Sequence, residues 1–384
     1  MALLIDSRDL SGLVSVEDAI DAVRKGFTDQ GNSPSFSAPK TRIQYEDRRI
    51  TVHPGGCPSL EVSGMFIHAE RFTFKGDAQQ YNGAGRRVYV AYNCESAELR
   101  AIIVGSLPIY PFDTFEESFG TETSITSAVG TDLIARSDCK VLGLYGTGLQ
   151  ARRHLVAMSS IRPIEKVKVY SRSKGNREKF VEEMEKYCDI ELCGVDDPRD
   201  VVTGVDLICC ATNTNVPALY GDWLSPGQHV TSIVNSTKGV KEQAGLAKAR
   251  REIDDEVVRR ADMILVNIRE QSIVEEHGDL CEPIEQGITS WDDIVELGEV
   301  LDGVLIDGVG EEEHLEPLGA TPGFRPFTRG FLRGLEALFQ QRNPVGQRSG
   351  HPSCLGIHER SHQLIDFFDG GWGLMSGGFG ESRG

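Results

Sequence analysis

Lys140-Val141-Leu142-Gly143-Leu144-Tyr145-Gly146-Thr147-Gly148-Leu149-Gln150-Ala151 is the stretch that decides the fold. Its first half is a short apolar run of strand type. Its second half is a glycine turn leading into helical spacing at Leu149, Leu155, Val156 and Met158. A second apolar run, Val167-Lys168-Val169-Tyr170, follows and ends in Ser171-Arg172-Ser173. Strand, glycine turn, helix and strand in that order predict a unit of dinucleotide-binding type. Gly146 permits the tight turn, Gly148 lets the backbone approach a pyrophosphate, and Ala151 lets the helix lie close on its strand. N–H groups at a helix start attract phosphate, so Gly146, Thr147, Gly148, Leu149 and Gln150 are the expected pyrophosphate ligands.

The end of the second strand separates the two nicotinamide nucleotides. An Asp or Glu there accepts from a ribose 2′-hydroxyl, whereas a cation receives a 2′-phosphate. This chain offers Ser171, Arg172 and Ser173, with Lys174 and Arg177 close behind. A carboxylate would repel the phosphate, and a guanidinium can grip it with two hydrogen bonds. The expectation is NADP(H) rather than NAD(H), with Ser171, Arg172, Ser173 and Arg177 at the phosphate.

Working outward, the 384 residues suffice for two domains, and 39% hydrophobic with 26% charged residues is ordinary globular composition. A formal net charge of -18 would repel a polyanion, so no nucleic-acid partner is expected. The chain opens with no basic-then-apolar leader and has no run of about eighteen apolar residues, which predicts a cytoplasmic protein without a membrane partner. Nine cysteines without a C-x-x-C pair read as buried thiols in a reducing compartment.

Ser15 to Thr28 predicts a capped amphipathic helix with Val16, Ile20, Val23 and Phe27 on one face. From Pro39 to Val104 short β-type segments dominate, the clearest being 87–92 and 99–104. Residues 121–136 are small, polar and helix-compatible. From Lys140 strands and helices alternate, through 205–211, 229–234 and 263–266, which implies a parallel doubly wound sheet. Residues 327–339 read as one more amphipathic helix, and the glycine-rich end reads as disordered. Glu311-Glu312-Glu313 with Glu316 reads as a solvated loop. His351, Cys354, His358 and His362 read as a chance cluster in that tail, so no metal is expected.

These residues resemble the ornithine cyclodeaminase/mu-crystallin family. The resemblance rests on the helix from Val16 to Phe27, on Val141 to Arg152, on Arg162-Pro163-Ile164-Glu165-Lys166-Val167, and on Ala211-Thr212-Asn213-Thr214-Asn215-Val216-Pro217. It continues in Trp223-Leu224-Ser225-Pro226-Gly227-Gln228-His229-Val230 and Arg260-Ala261-Asp262. It implies an α/β fold with a Rossmann-type doubly wound parallel sheet and a smaller α+β substrate and dimerisation domain. The implied limits are 1–130 for the substrate domain, with part of 315–345 returning to it, 131–314 for the nucleotide domain, and a tail over 346–384. The implied assembly is a homodimer. The implied chemistry is hydride transfer between a nicotinamide and the carbon of a C=N or C–NH bond in an imine or amino-acid-like substrate. Ala211, Thr212 and Asn213, with Val234 and Asn235, would then face the ribose and nicotinamide.

The substrate side departs from the family pattern. Where the family holds a substrate carboxylate with Arg, Lys and Arg, this chain has Lys40, with Arg42 as a substitute, then Phe66, Ile67 and His68, and then Glu122. Lys40, His68 and Glu122 are therefore the catalytic candidates, with Glu70 and Tyr81 beside them. Cyclodeaminases also carry an Asp where this chain has Ser236, and a hydroxyl is no carboxylate base. That favours imine reduction or amino-acid oxidation over an ornithine cyclodeaminase-type ammonia lyase using bound NAD. A mu-crystallin-like NADP(H)- and ligand-binding protein without catalysis is the third possibility.

Overall fold

The computed structural model describes residues 2–32, 38–75, 78–111, 121–234 and 250–303. The expectations placed on Asn235 and Ser236, on the acidic run, on 315–345, on the helix over 327–339, on the His/Cys cluster and on the tail lie outside those residues. Tyr81 lies among residues whose side chains are not described.

After strand β1 (Leu3–Asp6), the first helix opens on a reciprocal cap. Asp18 N donates to Ser15 Oγ at 3.0 Å and Ser15 N donates to Asp18 Oδ2 at 3.1 Å, so two orphan donors of the helix start are satisfied together. Helix α1 (Val16–Asn32) buries Val16, Ile20, Val23 and Phe27, the face expected from their spacing. Strands β2 (Thr41–Tyr45), β3 (Arg48–Cys57), β4 (Val62–Lys75), β5 (Ala78–Ala84), β6 (Val88–Asn93) and β7 (Leu99–Val104) follow. They form one sheet in the order β1-β7-β6-β4-β3-β2, with β5 against the second half of β4. All its pairings are antiparallel except β1 with β7.

Helix α2 (Thr121–Ile134) carries the small polar residues, and Ser124 and Ala128 are fully buried. Next come β8 (Val141–Tyr145), α3 (Leu149–Ile161), β9 (Lys166–Tyr170), α4 (Lys174–Met184), β10 (Glu191–Gly194), β11 (Leu207–Cys210) and β12 (His229–Ser232). These five strands are all parallel, in the order β10-β9-β8-β11-β12. Counted from β8, that is the doubly wound order 3-2-1-4-5. Alternation along β8 and β11 feeds two cores, one on each face: Leu142, Leu144, Leu207 and Cys209 pack with α3 and α4. Tyr145, Ile208 and Cys210 pack on the opposite face with Val257 and Val258.

The chain continues through α5 (Asp255–Arg259), β13 (Ile264–Val266), α6 (Arg269–Val274), α7 (Cys281–Glu285), β14 (Ile294–Glu296) and α8 (Leu297–Leu301). Here one expectation is corrected. The run 263–266 does not join the parallel sheet; β13 pairs with β14 in a separate two-stranded sheet. The reason is pairing and not burial, since β12 is half-buried throughout and still joins: Ile264, Leu265 and Val266 take their register from Ile294, Val295 and Glu296.

Helix α8 lies backbone to backbone on α1. A Cβ on Gly31 would stand 2.3 Å from the carbonyl oxygen of Gly298, so only glycine permits the approach. Gly31→Val should cost about 1–3 kcal/mol through overpacking, read as a lower thermal unfolding midpoint; an unchanged midpoint would show that the helices do not touch.

No disulfide joins the described cysteines. None of the described helices is long and apolar enough to cross a membrane.

Candidate functional site: an open helix start and a buried polar sheet

The glycine turn has the geometry its sequence predicts. Gly146 has φ +108, in the region that side chains rarely enter, and its N–H donates to Tyr170 O at 2.8 Å. A Cβ there would lie 2.3 Å from Ala211 O, so the turn presses directly on the end of β11. Gly148, the N-cap of α3, differs: a Cβ on it would meet nothing within 4 Å. The space in front of the helix start is open to a phosphate. The 13-residue helix is held from behind by His154. Its Nδ1–H donates to Gln150 O at 2.8 Å, which leaves Nε2 to accept from Ser127 Oγ on α2 at 3.0 Å. Burial pushes His154 down to about 4, so the ring stays neutral. Thr147 O accepts from the Arg152 guanidinium, Gln150 is buried, and Ala151 is fully covered.

At the end of β9, Arg172 and Ser173 are exposed, and Ser173 Oγ caps α4 by accepting from Asn176 N at 3.3 Å. Arg177, expected at the 2′-phosphate, is instead committed. It is buried, lies over the Tyr170 ring, and donates to Ser171 O and Asp196. A guanidinium one turn into a helix and facing its own strand serves the fold, and Arg172, with Lys174 close by, is left exposed to meet a ligand. At the ends of β11 and β12, Asn213 is exposed, Val234 is buried, and Thr212 N and Oγ1 both donate to Glu252 Oε1.

The seven-stranded sheet carries, on β3 and β4, polar residues where a buried sheet face is usually apolar. Arg49, Thr51 and His53 on β3 point inward with period two, and register sets Arg49 opposite Glu70, Thr51 opposite His68 and His53 opposite Phe66. The pairs interact as that register dictates. Arg49 Nε donates to Glu70 Oε2 at 3.1 Å. His68 Nδ1 stands 3.4 Å from Glu70 Oε1, and His68 Nε2 lies 3.3 Å from His53 Nε2. His68–Glu70 is thus a buried pair and not a solvated strand face. Burial lowers the pKa of both histidines, with Glu70 opposing the shift at His68. Burial also works against an ionised Glu70, but His68 and Arg49 outweigh it and hold the carboxyl near about 2.

Glu122, in the first turn of α2, accepts from Arg87 Nη1 at 3.1 Å and from Tyr89 OH at 3.3 Å. The carboxylate that inverts the expected charge at this position therefore meets a guanidinium that sequence alone did not assign. Phe66 ties the group together, its ring centroid 5.1 Å from those of both His53 and His68 and 4.9 Å from that of Tyr89, with Arg87 above it at 5.3 Å.

Lys40 completes the cluster. Thr41 pairs with Val52, which sets Lys40 beside His53. Its backbone N–H donates to Gln271 Oε1 on α6 at 2.9 Å, and its Nζ lies 3.5 Å from Glu275 Oε2, which also receives Arg42. Burial, with the Arg42 charge, pushes the Lys40 ammonium down to about 7 against the pull of Glu275. His277, on the same stretch as Glu275, is pushed down to about 4 by burial and then by the Lys40 charge.

The three catalytic candidates thus fall in one buried polar region. Arg49, His53, Arg87, Gln271 and Glu275 complete it. The one signal that could have found Arg49 and His53 is polar residues at period two flanked by Ile50 and Val52, an inside-out strand. Among the described residues no group of three or more His, Cys, Asp or Glu is placed to hold a metal.

Fold and site together define a Rossmann-type nucleotide-binding protein with a second, buried polar site on a mixed sheet. The chain belongs to the ornithine cyclodeaminase/mu-crystallin family, whose model matches residues 120–314. It is 30% identical over 183 residues to an uncharacterized cyclodeaminase of Sinorhizobium fredii, covering 47% of this chain and 52% of that protein. It is also 30% identical over 181 residues to the ketimine reductase mu-crystallin of Mus musculus, covering 47% and 51%. The chain thus spans about half the length of the curated relatives it matches. Among solved structures, Thermococcus litoralis delta(1)-pyrroline-2-carboxylate reductase in complex with NADH and L-proline superimposes with a TM-score of 0.63. That match has 26% identity and covers 79% of this chain and 87% of that one.

Proposed function

We propose that the protein reduces the C=N bond of an imine bearing a carboxylate, or oxidises the corresponding amine, with NADP(H) as the hydride carrier. It does so as a cytoplasmic homodimer. The observation that carries this reading is Lys40, a buried amine with a pKa near about 7, set against α6. The same stretch continues to Asp279, which contacts Ser232 at the end of β12. Support from relatives is direct in kind: one is a ketimine reductase, and a solved neighbour is a pyrroline-carboxylate reductase bound to NADH and proline.

The open start of α3, Gly148 above all, fits a pyrophosphate. Gly146, Thr147, Gly148, Leu149 and Gln150 form its cradle, and Thr212, Asn213 and Val234 border the nicotinamide half. When bound, the nucleotide supplies the hydride. This chain supplies the rest: Lys40 Nζ holds the proton that the substrate nitrogen takes up, and Arg42 attracts the substrate carboxylate. Neutral His68 and the Arg87–Glu122 pair shape the floor of the site without adding net charge. For the dimer, the support is the apolar outer side of the β2–β3 edge, where Ile43 and Tyr45 are each 67% exposed. Such edges are normally covered.

Arg172 sets the cofactor choice. Arg172→Asp should weaken NADPH binding by on the order of ten- to a hundredfold, the scale of one lost charge-assisted bond, and leave NADH binding unchanged or tighter, since an Asp there can accept from the ribose 2′-hydroxyl. Fluorescence titration of both nucleotides reads it, and equal NADPH affinity in the two proteins would overturn the choice of NADP(H).

A further inference from the structure

We infer that Glu252 and Asp279 hold one proton between them through Ser232, and that this proton positions the two strand ends facing the nicotinamide half of the nucleotide. The inference rests on the nucleotide-binding reading above and adds positioning residues to it.

The proton follows from counting hydrogens. Ser232 Oγ stands 3.0 Å from Glu252 Oε2 and 2.5 Å from Asp279 Oδ2. A hydroxyl has one hydrogen to give, and an ionised carboxylate has none. With both carboxylates ionised, one contact would press a hydroxyl lone pair against an anion inside the protein, where Glu252 and Asp279 are 0% and 1% exposed. One carboxyl must therefore carry a hydrogen. The lengths say which: 2.5 Å is the range of a charge-assisted O–H···O⁻ bond, so Ser232 donates to Asp279 and the protonated Glu252 donates to Ser232. Asp279 also has the cation: its Oδ1 accepts from Glu252 N at 2.8 Å and Ile253 N at 3.2 Å and lies 3.8 Å from Arg251 Nε, whereas the further donors on Glu252, namely Thr212 N, Thr212 Oγ1 and Ile233 N, are all uncharged.

The charges facing the pair agree. Arg251 is shared with Asp255 and Glu282. The Cys209 and Cys210 thiols, on the strand beneath Glu252, are pushed well up by burial and stay neutral. Burial, then the Asp279 charge, raises Glu252 to about 8. Burial raises Asp279 to about 6.

Position gives the proton its consequence. Glu252 ties Thr212, at the end of β11, to Ser232 and Ile233, at the end of β12, where Ile233 N donates to Oε2 at 3.0 Å. Loss of the proton puts two negative charges on one hydroxyl, pushes the Glu252 carboxylate away from Asp279 together with the strand ends it holds, and adds negative potential beneath a site meant for an anionic nucleotide. Nucleotide affinity should fall as the pair ionises.

Asp279→Asn isolates this. The amide oxygen keeps both backbone bonds, the amide nitrogen donates to Ser232, and Ser232 then donates to an ionised Glu252, so the network survives without the shared proton. NADPH titrations from about pH 6 to about pH 9.5 should show wild-type affinity falling at least about tenfold on the alkaline side, the factor that one unit of differential pKa produces. In Asp279→Asn that break should vanish. A flat wild-type profile, or the same break in the variant, overturns the inference. If Asp279→Asn fails to fold, Ser232→Ala, which removes only the bridging hydroxyl, should move the break to higher pH, and an unmoved break overturns it. Infrared spectra of the nucleotide-free protein read the proton directly: wild type should show a buried protonated carboxyl at neutral pH that Asp279→Asn lacks. No such band in wild type sinks the shared proton. A protein with the band that binds no nucleotide at any pH sinks the nucleotide reading and the positioning role, not the proton.

Discussion

Lys40→Met is expected to lower imine reduction by about 10²–10⁴-fold, the contribution of a positioned acid or base, while leaving the protein at least as stable. The two halves of that expectation come from one fact, a lysine held at about 7 against its ordinary 10.5. A folded pKa below the unfolded one means that the unfolded chain binds more protons between those values, so stability rises with pH across that window and carries the full penalty below about 7. Methionine removes the penalty. Glu275 keeps Arg42 as its partner, so the substitution leaves no buried carboxylate alone. The same pKa sets the rate profile. In wild type kcat/KM for reduction should fall about tenfold per pH unit above about 7 as Nζ loses its proton, and oxidation should show the opposite trend. A Lys40→Met protein with normal turnover, or one merely unfolded, would refute the assignment.

Gly148→Val is expected to weaken NADP(H) binding by on the order of a hundredfold or more, beyond what one lost contact gives, with no change in the thermal midpoint. A side chain there meets open space in the protein alone, but it occupies the approach of the pyrophosphate to the start of α3. Gly146→Val supplies the contrast. Its Cβ would collide with Ala211 O in a backbone conformation that disfavours side chains, so it should lose nucleotide binding and also about 1–3 kcal/mol of stability. Calorimetric binding and thermal unfolding of the pair separate a ligand contact from a structural one. If both variants lose stability equally, Gly148 does not face a ligand.

Sequence went far with the parallel sheet because that sheet is built from local signals. Val141 to Tyr145, the turn at Gly146 and the run to Tyr170 each lie within a few residues of their neighbours, and each element formed where its pattern put it. The polar site was only half legible, because its contacts are set by register across strands far apart in sequence. His68 and Glu70 could be placed on one face from their spacing, but Arg49 reaches Glu70 only through the β3–β4 pairing, and Arg87 reaches Glu122 only through the approach of α2 to β6. Lys40 was found by position, yet its partner Glu275 comes from the other end of the described chain. Arg177 misled for the opposite reason. Its spacing fitted a phosphate ligand, but burial against Tyr170 and Asp196 turned it inward.

The glycine contact between α1 and α8 bears on how the chain is made. Gly31 leaves the ribosome long before Gly298, and until α8 exists the first helix lacks the backbone surface it is shaped to receive. The parallel sheet waits for less: its strands run from Val141 to Ser232, and Val257 and Val258, which cover one of its faces, follow soon after. Domains fold as units while synthesis proceeds, so the nucleotide half should be complete first, and the half that begins the protein should be the last to close.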